Sequence, residues 1–196
     1  MSAARTLTLA DVALPRAGAL QNILLIVAAS LVTAAAAQLE IRLPWTPVPI
    51  SGQTFAVLLS GAVLGWRRAF LAQALYLLEG AAGLPVFSGG AHGVARLIGP
   101  SGGYLMAFPF AAAVTGWLAE RGWDRHALTM VSAMLLGSVV IFAFGLAWLA
   151  RFMPSNTLLA AGLLPFIPGD LIKSTLAALA FPAVWQRIGP MAGGRA

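Results

Sequence analysis

The chain has 196 residues, 60% of them hydrophobic and 9% charged, with a formal net charge of +6 and a mean hydropathy of +0.87. Those values exclude an ordinary water-soluble domain. The positive charge sits on Arg residues in the connections between apolar runs, which fits membrane orientation better than nucleic-acid binding. The lack of Cys removes disulfide and thiolate chemistry.

A bilayer core about 30 Å thick takes roughly 20 apolar residues per helix. On that scale the chain reads as six transmembrane helices over 20–39, 51–66, 69–84, 104–119, 127–150 and 169–187. They form one membrane domain, 1–196, with tails at 1–19 and 188–196. The first span follows Arg5 and Arg16 and ends near Ala35–Ala37, as a signal peptide would. Its apolar stretch is longer than the ~7–15 residues of a signal core, so it reads as a helix. Six spans place both termini on one side. If that side is cytoplasmic, eight Arg lie inside (Arg5, Arg16, Arg67, Arg68, Arg121, Arg125, Arg187, Arg195) and three outside (Arg42, Arg96, Arg151). Trp66, Trp117, Trp123 and Trp185 fall at inner span ends, and Trp45 and Trp148 at outer ends. The expectation is an all-α, multi-pass protein of the bacterial inner membrane, both termini cytoplasmic, with long, partly re-entrant outer loops.

Three outer features depart from a plain bundle. Pro44-Trp45-Thr46-Pro47-Val48-Pro49-Ile50 excludes a regular helix yet is too apolar for a free loop, so it is either a rigid connector or a segment that packs back into the protein. After Tyr76 and Glu79 comes an apolar, Gly-rich loop over 84–104 that contains Phe87, Gly89, Gly90, His92 and Arg96. It reads as a lid over a ligand or as a mobile surface loop. Glu79 is open to pairing with Arg96 or to ligand contact. At the start of the last span Asp170 and Lys173, the chain's one lysine, share a helix face. Ionisable groups within a span are costly and mark function by default, against the alternatives of an N-cap and a snorkelling lysine.

No phosphate-binding Gly-x-x-x-x-Gly-Lys-Ser/Thr motif, catalytic cluster or metal-ligand set is present in the sequence, and His92 stands alone. An enzyme built on Asp170 and Glu79 and an ion channel are therefore the weaker readings. A pocket with one cation, one anion and Gly-rich backbone suits a small anionic solute, bound without cofactor or catalytic residue.

Four motifs occur in order along nearly the whole chain: Val48-Pro49-Ile50-Ser51-Gly52-Gln53-Thr54-Phe55, Gly80-Ala81-Ala82-Gly83-Leu84-Pro85-Val86-Phe87, Gly99-Pro100-Ser101-Gly102-Gly103-Tyr104 and Gly169-Asp170-Leu171-Ile172-Lys173. Together they resemble BioY, the biotin-specific substrate-binding (S) component of energy-coupling-factor transporters. The resemblance implies biotin capture from outside and a partner module of a transmembrane coupling protein with two cytoplasmic ATPases. It implies Asp170 and Lys173 as the ligand-binding pair and the Gly-rich loop with Arg96 as lid. Ser88 stands where a family member can offer Asn. The candidate binding residues are then Asp170, Lys173, Arg96, Ser88, Gly89, Tyr76, Gln53 and Thr54, with Phe87, Gly90 and His92 in the lid. Ala29, Thr33 and Ala37 fit docking to the coupling protein, and fit internal packing equally. An S component for another vitamin and a solitary oligomeric transporter remain as alternatives.

Overall fold

A computed structural model of the chain describes residues 7–15 and 17–193, with side chains up to residue 188. Arg5, Arg16 and Arg195, used above to orient the chain, lie outside these residues, as do 1–6 and 194–196 of the tails. Among the described residues the helices are α1 (Leu9–Ala13), α2 (Ala19–Ala37), α3 (Gln53–Leu64), α4 (Trp66–Ala81), α5 (Val94–Ile98), α6 (Gly102–Ala119), α7 (Ala127–Leu149), α8 (Ser155–Gly162) and α9 (Ile167–Gly193).

Four stretches are long and apolar enough to cross a membrane: α2, α6, α7 and Ser155–Ile188, which contains α8 and most of α9. The expected spans 51–66 and 69–84 appear as α3 and α4, of 12 and 16 residues. At 1.5 Å per residue these are about 18 and 24 Å long, below the ~30 Å hydrocarbon thickness. Gly65, with φ +79°, breaks the apolar run between them, and Ser60 accepts a hydrogen bond from Gln73 across the resulting hairpin. The outer prolines produce a ribbon that helix and loop patterns do not foresee: β1 (Glu40–Ile41) pairs antiparallel with β2 (Ile50–Ser51), Glu40 opposite Ser51. The last helix runs past the expected end at 187, so residues 188–193 of the expected tail are helical.

Helix α6 forms the core of the bundle. Its small residues Ala107, Ala111, Ala112 and Thr115 are buried and admit close approach of α3, α4 and α7. The outward faces are the reverse of a soluble protein's: Leu20, Leu24, Leu31, Val139, Leu176 and Leu179 are exposed, an arrangement solvated by lipid and not by water. Arg67 lies over Trp66, Arg121 over Trp117 and Arg125 over Trp185 at one end of the bundle, and Arg151 over Trp148 at the other. Amphipathic rings paired with cations at both ends mark the two membrane surfaces.

The Ala29–Thr33–Ala37 stripe turns inward. Thr33 and Ala37 are fully buried, and Thr33 accepts a hydrogen bond from Gln73 of α4. Thr33 and Ala37 are therefore used for internal packing, one of the two readings the sequence leaves open, and Ala29 is half-buried. The opposite face of α2 carries the exposed leucines.

Gly80 shows how tightly the 84–104 loop is seated. A Cβ there would run into the Phe87 ring, whereas one at Gly169 meets nothing within 4 Å. Gly80→Ala is expected to cost about 1–3 kcal/mol through overpacking. Gly169→Ala, inside a helix, is expected to be neutral or stabilising by up to about 1 kcal/mol. Thermal unfolding of the two variants in detergent checks the contrast.

Candidate functional site

A hollow of about 600 Å³, counting the space on its open side, lies where the β ribbon, the 84–101 loop and the pocket-side ends of α3, α6, α7 and α9 converge. Asp170, Lys173, Arg96, Ser88, Gln53, Thr54 and Phe87 all line it, so seven of the residues singled out above come together. Elements more than a hundred positions apart in sequence supply them.

Asp170 and Lys173 project from the first turns of α9, and Asp170 is buried. Lys173 does not close on Asp170. Its Nζ donates to the Ser51 carbonyl at 3.0 Å and to Thr54 Oγ1 at 2.9 Å. With two of three ammonium donors engaged, one is left for a ligand. The Ser138 hydroxyl lies beside Asp170 without a well-formed hydrogen bond.

Arg96 reaches the cavity from α5. Its Nε is buried and makes no hydrogen bond, and the same holds for the Ser101 hydroxyl on the cavity wall. A buried donor without a partner costs about 1–3 kcal/mol and calls for an explanation. Both belong to residues that line the cavity.

Tyr76 does not line the cavity. It is fully buried behind the wall, accepts a hydrogen bond from Gln53 Nε2 and donates to the Val86 carbonyl at 3.0 Å. It positions Gln53 and the residue before Phe87, and the expectation of direct contact gives way to that role. Gly89 and Gly90 have φ of +68° and +71° and shape the loop outside the cavity, and His92 is exposed. Glu79 accepts a hydrogen bond from Ser30 of α2, so neither Arg96 nor the cavity engages it directly.

The loop is fastened to the end of α2 and to β1. Gln38 Oε1 accepts from the Gly90 amide at 3.1 Å, Gln38 Nε2 donates to the Phe87 carbonyl at 3.3 Å, and Glu40 accepts from the Ser88 hydroxyl. Glu40 also pairs with Arg42 at 2.6 Å.

Sequence reasoning missed the aromatic lining. Tyr104 and Phe108 of α6, Phe142 of α7 and Phe166 wall the cavity. Tyr104 fits over Gly145, where a Cβ would collide with its ring, and its hydroxyl donates to the Gly162 carbonyl at 2.8 Å. The spacing of Tyr104 and Phe108, one turn apart, was a usable signal, although in a chain this apolar it does not separate a binding wall from lipid-facing surface.

An aromatic cavity at one end of a helical membrane bundle, fitted with one carboxylate and two cationic side chains, defines a membrane solute-binding protein. Residues 5–190 match the BioY family, and the chain belongs to that family. It is 40% identical over 147 residues to the probable biotin transporter BioY of Pyrococcus horikoshii, covering 75% of this chain and 85% of that one. It is 41% identical over 152 residues to the biotin transporter BioY of Rhizobium etli, covering 74% and 81%. The fold superposes with a TM-score of 0.73, at 26% identity over 85% of this chain and 92% of the other, on the crystal structure of the S-component for biotin from an ECF-type ABC transporter.

Burial raises the Glu40 carboxyl, but the hydrogen bonds from Ser88 and Arg42 and the charges of Arg42 and Arg96 outweigh it and hold the group below its usual 4.5. The loop contact is therefore at full strength above about pH 4.5 and is lost as the pH falls through the lower folded value. Since the chain has no Cys, a single Ala91→Cys label reports the loop. Its fluorescence is expected to stay constant from pH 7 to about 4.5 and to change below. In Glu40→Gln that acid-dependent step is expected to vanish.

Proposed function

We propose that this chain captures biotin on the outer side of the cell membrane and delivers it inward as the S component of an energy-coupling-factor transporter. The observation that carries the reading is the aromatic cavity with Asp170 and Lys173 on one wall and the unpaired Arg96 Nε on another. Biotin has an apolar bicycle, a ureido group with two N–H donors and a carbonyl, and a carboxylate at the far end of an aliphatic chain. Asp170 and Lys173 stand one helical turn apart, about 5–6 Å between Cβ atoms, and so serve one end of the ligand. In this reading Asp170 accepts a ureido N–H and the remaining Lys173 donor meets the ureido carbonyl. Arg96 takes the carboxylate. Phe87, Tyr104, Phe108 and Phe142 enclose the bicycle, and Ser88, Thr54 and Gln53 set the shape of the wall.

The rest of the proposal follows the family. The chain is one membrane domain that crosses six times, with α3 and α4 completing the four long helices and the outer segments packing back toward the bundle. Both termini face the cytoplasm. It binds without covalent chemistry or cofactor, and a coupling protein with two cytoplasmic ATPases drives uptake. Binding of a different vitamin and a solitary oligomeric transporter are the outcomes to set against it.

Calorimetry on the detergent-solubilised protein tests the ligand. Stoichiometric biotin binding is expected, and Lys173→Ala and Asp170→Asn are expected to weaken it by the ~2–5 kcal/mol of a broken desolvated contact, roughly 30- to several-thousand-fold. Biotin amide separates the two ends of the site. Wild type should prefer biotin to the amide, and Arg96→Gln should remove the preference. A folded wild-type protein that ignores biotin overturns the substrate.

A further inference from the structure

A second hollow, of about 1250 Å³ including its open side, lies on the outer surface of the bundle between α4, α6 and α7, away from the biotin cavity. We propose that it is a binding site for one phospholipid, with an acyl chain lying along α6 and the phosphate held by Arg151.

Its walls are apolar, among them Leu77 of α4, Met106 and Pro109 of α6, and Ala143 and Ala147 of α7. Small residues hollow it: Ala143 and Ala147 are one turn apart and both exposed. Its length is informative. Along α6 it extends from Gly103 to Phe110, about 10 Å at 1.5 Å per residue, which is about two-thirds of the ~15 Å hydrocarbon depth of one leaflet. The deep end is closed by aromatic contacts, Phe70 against Phe110 at 5.7 Å and Phe110 stacked on Phe144 at 5.6 Å. The shallow end is capped by Trp148, whose Nε1 donates to the Gly99 carbonyl at 3.0 Å, and by Arg151, 4.5 Å above the Trp148 ring.

Those limits select the occupant. A helix from a second copy or another protein would run the full bilayer thickness, whereas this groove ends within one leaflet, as one acyl chain does. The charge at its rim is complementary. A guanidinium held over a ring keeps N–H donors for the paired oxygens of a phosphate, and the exposed Arg151 stands at headgroup level above the chain's path.

Native mass spectrometry of the full chain, reconstituted with phosphatidylglycerol or with diacylglycerol and released from detergent, tests this. The wild type should retain one phosphatidylglycerol and little diacylglycerol. Ala147→Phe, which fills the groove, should abolish retention. Arg151→Gln should lower phosphatidylglycerol retention about fivefold, the effect of losing one interfacial cation worth ~1 kcal/mol, without altering that of diacylglycerol. Ala143→Leu serves as a second groove-filling variant, and unchanged biotin binding in each variant establishes folding independently of the lipid readout. Equal phosphatidylglycerol retention in the wild type and the filled variants overturns the proposal. So does equal retention of the two lipids by the wild type, or a dimer mass that Ala147→Phe removes, which would assign the groove to a second copy.

Discussion

The architecture around the cavity depends on how one ammonium group is satisfied. A lysine near the membrane interior costs several kcal/mol unless its donors are met, and Lys173 meets two of them with the Ser51 carbonyl and the Thr54 hydroxyl. Those acceptors sit at the end of β2 and in the first turn of α3. The last long helix is thereby fastened to the turn that follows the first, and the proline-bearing segment between β1 and β2 is drawn over the cavity, bringing Val48, Pro49 and Ile50 onto its wall. Asp170, one turn before Lys173, is carried to the same place.

The same accounting organises the bundle interior. Gln73, fully buried in α4, donates to Thr33 of α2 and Ser60 of α3, and Ser30 of α2 donates to Glu79. Each contact joins two elements where water is absent, so polar side chains locate the helices while small residues bring them close. At the opposite end Asp124 is fully buried, accepting from Trp185 Nε1 at 2.6 Å and pairing with Arg125, and Arg68 bridges Asp11 of α1 to Asn22 of α2. The short N-terminal helix, read from sequence as tail, is held by that bridge.

What the chain reveals on inspection follows from the kind of signal. Uncharged runs located α2, α6 and α7 to within a few residues because length and polarity alone decide them. Charged and glycine-rich positions were equally legible: Asp170, Lys173, Arg96 and Ser88 all reach the cavity. The β ribbon escaped because its pairing lies across a proline segment with no alternation to read, and α8 because eight residues leave little periodicity. Tyr76 was placed on the right side of the protein but in the wrong layer. Its neighbours Gln53 and Val86 are 23 and 10 residues away, and no local pattern tells a residue that touches a ligand from one that holds the residue that does.

Helix α2 is where the binding end meets the rest of the molecule. The residue that caps it, Gln38, grips the loop over the cavity by bonding both the Phe87 carbonyl and the Gly90 amide, and Glu40, bonded to Ser88, follows two residues on. Its middle is tied through Ser30 and Thr33 to α4, whose Tyr76 holds Val86 of the same loop. Phe87 is therefore suspended between two helices that are themselves bonded together, with its ring seated on Gly80. Moving the loop requires breaking contacts to α2 and α4 at once, so its position is a property of the helix pair and not of the loop alone. The outward face of α2, with Leu20, Leu24 and Leu31 exposed, makes no comparable demand on the bundle.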